Sequence, residues 1–202
     1  MSALARTSAI DVVAARPGPS SRERPSRRRE RAWVRAAQAG SDEAMEALFR
    51  VHWGPAHRAA FLIVHDDAAA EDIAQEAFLA AIRALDRFDR RRPFGPWLHR
   101  IVVNRAIDWS RARALRREVA EPVERAAPPE RQGGWSEEVV AALGVLDVDQ
   151  RAAVVLRHLL EYTPGEIARL LEVPRGTVNS RLRRALDRLA VELEPPSEEG
   201  PS

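Results

Sequence analysis

An all-α fold of two small helical units joined by a flexible linker is what this sequence predicts, and three observations carry the prediction. Apolar residues return every three or four positions through each ordered stretch, as they do on helices with one buried face. A Pro- and charge-rich run over residues 118–135, EVAEPVERAAPPERQGGW, cuts that pattern in two. Beyond it, TPGEIARLLEVPRGTVNSRLRRALDRL has the form of a short helix, a tight turn and a longer helix. With 202 residues, 45% of them apolar and 31% charged, the chain has the composition of a soluble protein and the length for one medium or two small domains.

Composition also excludes several classes. No run approaches the roughly 20 apolar residues of a membrane span, and the arginine-rich beginning lacks the apolar core of a secretory signal, so no membrane insertion and a cytoplasmic location are expected. Cysteine is absent, which removes disulfides, thiolate metal sites and cysteine nucleophiles. All 32 basic residues are arginine. The net charge of +2 hides blocks: residues 1–35 carry +6, 36–90 −5, 91–117 +7, 118–150 −6, 151–191 +4 and 192–202 −4. A basic block in an otherwise acidic chain can face a polyanion while the acidic part faces something else.

In chain order, residues 1–29 are rich in Pro, Ser and Arg without apolar periodicity and read as a disordered basic tail. Residues 30–117 form the first unit. ERAWVRAAQAG is a short helix with Trp33, Val34 and Ala37 inward and Gly40 as its stop. Ser41 or Asp42 caps the next helix, which Gly54 and Pro55 should kink or interrupt. Asp66 or Asp67 then caps a helix that reaches Asp89. Its broad inward stripe comprises Ile73, Ala74, Ala77, Phe78, Ala81, Ile82, Ala84, Leu85 and Phe88; Asp72, Gln75, Glu76, Arg83 and Asp86 cluster opposite. Leu79 stands in the middle of that polar face, the geometry of an apolar contact rimmed by charge. After the loop DRRRPFG, Gly95 and Pro96 open a further helix with Leu98, Ile101, Val102 and Trp109 on one side. On another side Trp97, Arg100, Asn104, Asp108 and Arg111 follow one another at spacings of three and four. An aromatic, an amide and guanidiniums in one stripe suit stacking, base-edge hydrogen bonds and phosphate contacts on a nucleic-acid strand. The same stripe also suits an Asp108–Arg111 surface pair beside a partly buried tryptophan.

The second unit covers residues 136–194. SEEVVAALGVL and DVDQRAAVVLRHLLE give two helices, the second opened by Asp147 with Gln150 three residues on, as in a capping box. In the helix-turn-helix, Ile167, Ala168, Leu170 and Leu171 build the first helix, and Val173 and Pro174 make the turn. Val178, Leu182, Ala185, Leu186 and Leu189 form the inward stripe of the second helix. Opposite stand Thr177, Ser180, Arg181, Arg184 and Arg188, with Asn179 and Arg183 at the edges, groups that can read guanine acceptors or hold phosphate in a major groove. Glu172 occupies the turn position where such units often have glycine. Residues 195–202 are an acidic tail.

With these residues in hand, the chain resembles the extracytoplasmic-function (ECF) sigma factors, two-domain members of the sigma-70 family of bacterial RNA polymerase sigma factors. AEDIAQEAFLAAIRALDRFD is similar to the family's region 2.2, PFGPWLHRIVVNRAID to regions 2.3 and 2.4, and EIARLLEVPRGTVNSRLRRAL to region 4.2, in the family's order and spacing. The resemblance implies promoter-specific initiation of transcription and no enzymatic activity or cofactor. It implies as partners core RNA polymerase, through its β′ clamp and β flap, promoter DNA, and an anti-sigma protein of the kind that holds many similar proteins. On that basis Asp72, Gln75, Glu76 and Leu79 become a polymerase-docking face. Trp97, Arg100, Asn104 and Arg111 become the minus-ten contacts, with Asn104 at the position that captures a flipped base and the loop from Asp89 to Gly95 shaping its pocket. Thr177, Asn179, Ser180, Arg181, Arg183 and Arg184 become the minus-thirty-five contacts. Pro174 and Asn179 depart from the family's commoner residues, which bears on promoter sequence rather than on fold.

Two other readings compete. A stand-alone helix-turn-helix regulator accounts for residues 163–189 but leaves the Asp72–Asp86 face and the Trp97–Arg111 stripe idle. An enzyme would need a constellation the sequence lacks: His52, His57 and His65 scatter around a helix, and neither a metal-binding HExxH nor a phosphate loop occurs, so no catalytic or metal residue is expected.

Overall fold

The structure, a computed structural model, describes residues 25–119 and 137–192. Residues 1–24 of the expected basic tail, most of the linker and the acidic tail lie outside the described residues, and residues 27–29, expected in the tail, are helical. Every regular element described is helical.

The first unit is a four-helix assembly. Helix α1 (Arg27–Gln38) begins three residues earlier than the sequence reading placed it, because the Ser26 hydroxyl accepts the Arg29 N–H at 3.3 Å and satisfies an otherwise orphaned donor. It stops at Gly40, whose φ of +87° is open to glycine at little cost. Helix α2 (Asp42–Val64) starts on the Ser41 cap and runs through Gly54 and Pro55 as one uninterrupted element. Packing explains the tolerance: Ala56, Ala59, Ala60, Leu62 and Ile63 just beyond the proline are completely buried. Helix α3 (Asp67–Ala84) is capped by Asp66 through the Ala69 N–H at 3.1 Å and closes in a 3-10 turn, Leu85–Arg87. Ile73, Ala74, Ala77, Phe78, Ala81, Leu85 and Phe88 are buried as their spacing requires. Ile82 departs from the expected stripe and is 43% exposed, since at 100° per residue it lies at the stripe's outer edge, next to Leu79 on the surface. Helix α4 (Phe94–Val119) begins at Phe94, before the Gly95–Pro96 pair, and extends past residue 117.

The second unit contains α5 (Glu137–Gly144), α6 (Val148–Val154) continuing into a π-helical turn (Val155–Leu159), α7 (Pro164–Leu171) and α8 (Arg175–Glu192). Asp147 caps α6 through the Gln150 N–H at 2.8 Å. The buried Gln150 side chain does not return the cap; its oxygen lies 3.5 Å from the Arg188 guanidinium instead. A full capping box opens α7: the Thr163 hydroxyl accepts the Glu166 N–H while the Glu166 carboxylate accepts the Thr163 N–H at 2.8 Å. Glu172 does form the turn. It adopts the left-handed conformation (φ 56°, ψ 40°), and the N–H groups of Glu172 and Val173 both close on the Ala168 carbonyl.

The two units pack against each other, α6 and α7 on α4 and the π-turn on α2, so that one apolar core runs through both. Periodicity within each half cannot disclose this closure.

Candidate functional site

Helix α3 presents Asp72, Gln75, Glu76 and Leu79 to solvent, with Leu79 half exposed. Their common face follows from the burial of Ile73, Ala77 and Phe78 on the other side of the helix. Glu76 is ion-paired to Arg105 of α4, while the rest of the face is open. Two apolar neighbours that the sequence reading did not assign to this face are also exposed: Ile82, and Phe49 of α2, whose ring stacks on Trp53 and tilts against Phe78 at 4.9 Å. The signal for Ile82 was its place at the stripe's edge.

The stripe on α4 divides. Trp97 is half-buried, its ring 4.5 Å from Phe88 and 5.6 Å from Phe94, so it packs the start of the helix onto the loop before it. Asn104 is half-buried and makes no side-chain hydrogen bond among the described residues. Arg111 does not pair with Asp108. It donates to both carboxylate oxygens of Asp149 in α6, each at 3.1 Å. Arg100 is paired with Glu172 at the turn of the helix-turn-helix.

On α8, Asn179, Arg183 and Arg184 are exposed. Thr177 is half-buried and its carbonyl accepts the Ser180 hydroxyl at 2.9 Å, so Ser180 is oriented by the helix itself. Arg181 lies 3.3 Å from Asp149, the carboxylate that also holds Arg111. The structure thus brings Arg100, Arg111 and Arg181 to the seam between the units and leaves Asn179, Arg183 and Arg184 exposed, without an ion pair among the described residues.

A basic surface that sequence spacing did not reveal is built from the first helix and the loop before α4. Arg31 and Arg35 of α1 and Arg90 and Arg91 of the loop line one open cleft of about 360 Å³. Arg31 donates to the Arg91 carbonyl at 3.0 Å, tying loop to helix. Buried Glu30 holds the other side of that loop by accepting the Phe94 N–H at 3.3 Å, with the His52 imidazole 3.0 Å away. Burial pushes the Glu30 carboxyl up, but His52 and the Phe94 and Gly95 N–H groups outweigh it and hold the carboxyl below its ordinary value. His52 is therefore a buried structural group. The described residues contain no cluster of His, Cys, Asp and Glu able to hold a metal ion.

Fold and faces together define a two-unit DNA-recognition protein ending in a helix-turn-helix. Comparison with known proteins makes the class specific. The family model for sigma-70 region 2 matches residues 48–116 and that for sigma-70, region 4 matches residues 136–189. The ECF RNA polymerase sigma factor SigM of Mycobacterium tuberculosis is 39% identical over 75% of this chain and 78% of its own length. SigW of Bacillus subtilis, another ECF sigma factor, is 28% identical over 79% and 94%. CnrH, known as an RNA polymerase sigma factor of Cupriavidus metallidurans and solved in complex with the cytosolic domain of CnrY, superimposes with a TM-score of 0.65 at 30% identity, covering 84% of this chain and 99% of that one. The chain belongs to the ECF sigma factors of the sigma-70 family, and it acts in promoter-specific initiation of transcription. Sigma factors are recognition subunits rather than catalysts. No helix among the described residues is long and apolar enough to cross a membrane.

Proposed function

We propose that this chain docks on core RNA polymerase through α3, holds minus-ten DNA on α4 and the loop before it, and reads the minus-thirty-five element with α8. The observation that carries the assignment is Leu79, half exposed at the centre of a face otherwise built from Asp72, Gln75 and Glu76. A solvated face has no use for a large apolar side chain there, whereas an interface core ringed by polar groups does. Ile82 and Phe49 enlarge the same apolar patch.

For the minus-ten element, Asn104 offers an amide without a competing partner and Arg100 and Arg111 offer guanidiniums. Trp97 acts by packing, shaping the loop rather than stacking on a base. Arg90 and Arg91, with Arg31 and Arg35, supply phosphate contacts beside that pocket. On α8, Asn179 and Arg184 read base edges, Ser180 and Thr177 support them, and Arg181 and Arg183 hold phosphate.

Opening duplex DNA costs about 1.4 kcal/mol per base-pair step in stacking, and capture of one splayed base returns about 1 to 3 kcal/mol. One pocket around Asn104 cannot offset a whole bubble, so melting requires the polymerase as well. CnrH was solved with a protein bound to it; an inhibitory protein partner of that kind is proposed here too. Chemistry of its own has no place in this role, and its partners are in the cytoplasm.

The test is transcription from a genomic promoter library by purified core polymerase with and without the chain. New start sites sharing two spaced upstream elements are expected. Failure both to bind core and to initiate would return the chain to the class of stand-alone helix-turn-helix regulators.

A further inference from the structure

We propose that helix α1 is a splint for the minus-ten pocket: Glu30, Arg31 and Gln38 fix the backbone of the segment from Leu85 to Gly95 and so set how sharply the pocket discriminates among bases. Glu30 and Gln38 do this as positioning residues, without touching DNA themselves. The proposal rests on the assignment of the loop from Asp89 to Gly95 to that pocket, made above.

The loop cannot hold its own place. Asp89, Arg90, Arg91, Arg92 and Pro93 are all exposed, so no apolar side chain anchors the backbone between buried Phe88 and buried Phe94. Its internal bonds make a turn: the Asp89 carboxylate accepts the Arg91 N–H at 2.9 Å and the Asp89 carbonyl the Arg92 N–H at 2.9 Å. These bonds fix the shape of the turn but not where it sits. The guanidiniums of Arg90 and Arg91 share one cleft with those of Arg31 and Arg35, and their repulsion acts to drive loop and helix apart.

Helix α1 supplies what the loop lacks at three points. At the entry, the Gln38 amide donates to the Leu85 carbonyl at 2.8 Å and to the Phe88 carbonyl at 3.0 Å, one hydrogen to each. At the crest, Arg31 donates to the Arg91 carbonyl at 3.0 Å. Positions 31 and 38 are seven apart, which places them on one face of α1 and about 10 Å from each other along it. At the exit, Glu30 caps α4 from a distance. The residue before that helix is Pro93, whose side chain carries no acceptor, so the orphaned Phe94 N–H goes to the Glu30 carboxylate at 3.3 Å. His52 backs that carboxylate at 3.0 Å, and a Cβ on Gly95 would stand 3.1 Å from the imidazole. The start of α4 is thus seated hard against the pair.

Reading a base edge and attracting a strand differ in what they tolerate. Productive hydrogen-bond geometry is lost with displacements on the order of 0.5 Å, whereas phosphate attraction is long-ranged and carries no sequence information. A loosened splint therefore lowers discrimination before it lowers affinity. Helix α1 also precedes residues 48–116, the stretch matched to sigma-70 region 2, so base selection in this chain draws on a helix outside that match.

The test uses core polymerase loaded with the full chain, and single strands carrying the minus-ten element of a start site that the chain directs. Each of the four bases is placed in turn at each position. Asn104→Ala first marks the position the pocket reads, as the one where discrimination collapses. Gln38→Met, of similar length but without a donor, should flatten discrimination at that position about fivefold or more, while core affinity and preference for the minus-thirty-five duplex hold within about twofold. Gln38→Lys, which restores a donor, should recover most of the loss. Glu30→Gln, which keeps an acceptor but loses the charge, should flatten the same position by less. If Asn104→Ala marks a position and both Gln38→Met and Glu30→Gln match wild type there, the splint is overturned and the pocket assignment stands. A loss spread equally over all positions, or no recovery in Gln38→Lys, makes α1 a general support of the fold and also overturns the proposal. If Asn104→Ala alters no position, the pocket assignment fails, and the splint with it.

Discussion

The α3 face and the arginine faces of α4 and α8 are opposites in how the fold treats them. On α3 a large apolar side chain is left in water, and of the two acidic residues assigned to docking only Glu76 has an ionic partner among the described residues, Arg105. On α4 and α8 three guanidiniums assigned to DNA are each given a carboxylate from the other unit or from α6. An exposed leucine is a standing cost in free energy that only a partner can recover; a paired arginine is a surface whose use has been deferred. The first face is ready and the second waits.

The largest effect should come from the ready face. Leu79→Asp with Asp72→Ala should weaken core polymerase binding about a hundredfold, near 3 kcal/mol, as loss of a central anchor does. Helical content by circular dichroism should not change, since neither side chain is buried. Unaltered core affinity would remove the docking assignment from α3.

The seam should respond to acid. His65 ends α2 in the left-handed conformation (φ 54°), and a Cβ placed on Gly144 of α5 would meet its imidazole at 3.8 Å. Burial and then the Arg151 charge lower its pKa to about 4, against the opposing effect of a hydrogen bond the imidazole donates to the Leu62 carbonyl. A histidine with a depressed folded value is neutral in the fold and takes a proton when released. Stability is therefore complete above about pH 6.5 and is lost as pH falls toward 4, by about 2 kcal/mol between pH 7 and pH 5. His158 adds to the trend, lowered by burial and by Arg157. Urea midpoints at the two pH values measure the loss. His65→Asn, which tolerates the same backbone conformation, should flatten the dependence, and an equally steep one would assign it elsewhere.

On the waiting face, Arg184→Ala should lower preference for the upstream element by about 1 to 3 kcal/mol while core binding holds. Equal loss on every promoter would mark Arg184 as a phosphate contact instead.

What the sequence disclosed depended on range. Caps and stripes are local, so Asp147, the pairs Ser41 or Asp42 and Asp66 or Asp67 from which the structure takes the first of each, and the buried face of α3 are legible in the sequence. Ile82 was misjudged because periodicity fixes angle and not how far the neighbouring helix reaches around. Of the kink or interruption that Gly54 and Pro55 predict in α2, the interruption does not occur, because burial of the residues after the proline outweighs one lost hydrogen bond. The seam was legible only in outline. Residues 91–117 and 118–150 carry +7 and −6, blocks of opposite sign that the sequence alone does not pair. The structure sets Arg111 of one block on Asp149 of the other, a contact 38 residues apart that no local pattern encodes.

The smallest effect expected comes from the turn of the helix-turn-helix. Glu172 holds a left-handed conformation at a cost of roughly 1 to 2 kcal/mol, which glycine would avoid while giving back up to about 1 kcal/mol in backbone entropy. Glu172→Gly should therefore raise the melting temperature by no more than a few degrees. The same change frees Arg100, so the gain in the turn comes with a loosened seam. A variant that melts later yet binds promoter DNA more readily without polymerase would show that the strained glutamate is kept for its carboxylate. One that melts later with DNA affinity unchanged would reduce the Arg100 pair to an ordinary surface contact, worth less than about 1 kcal/mol.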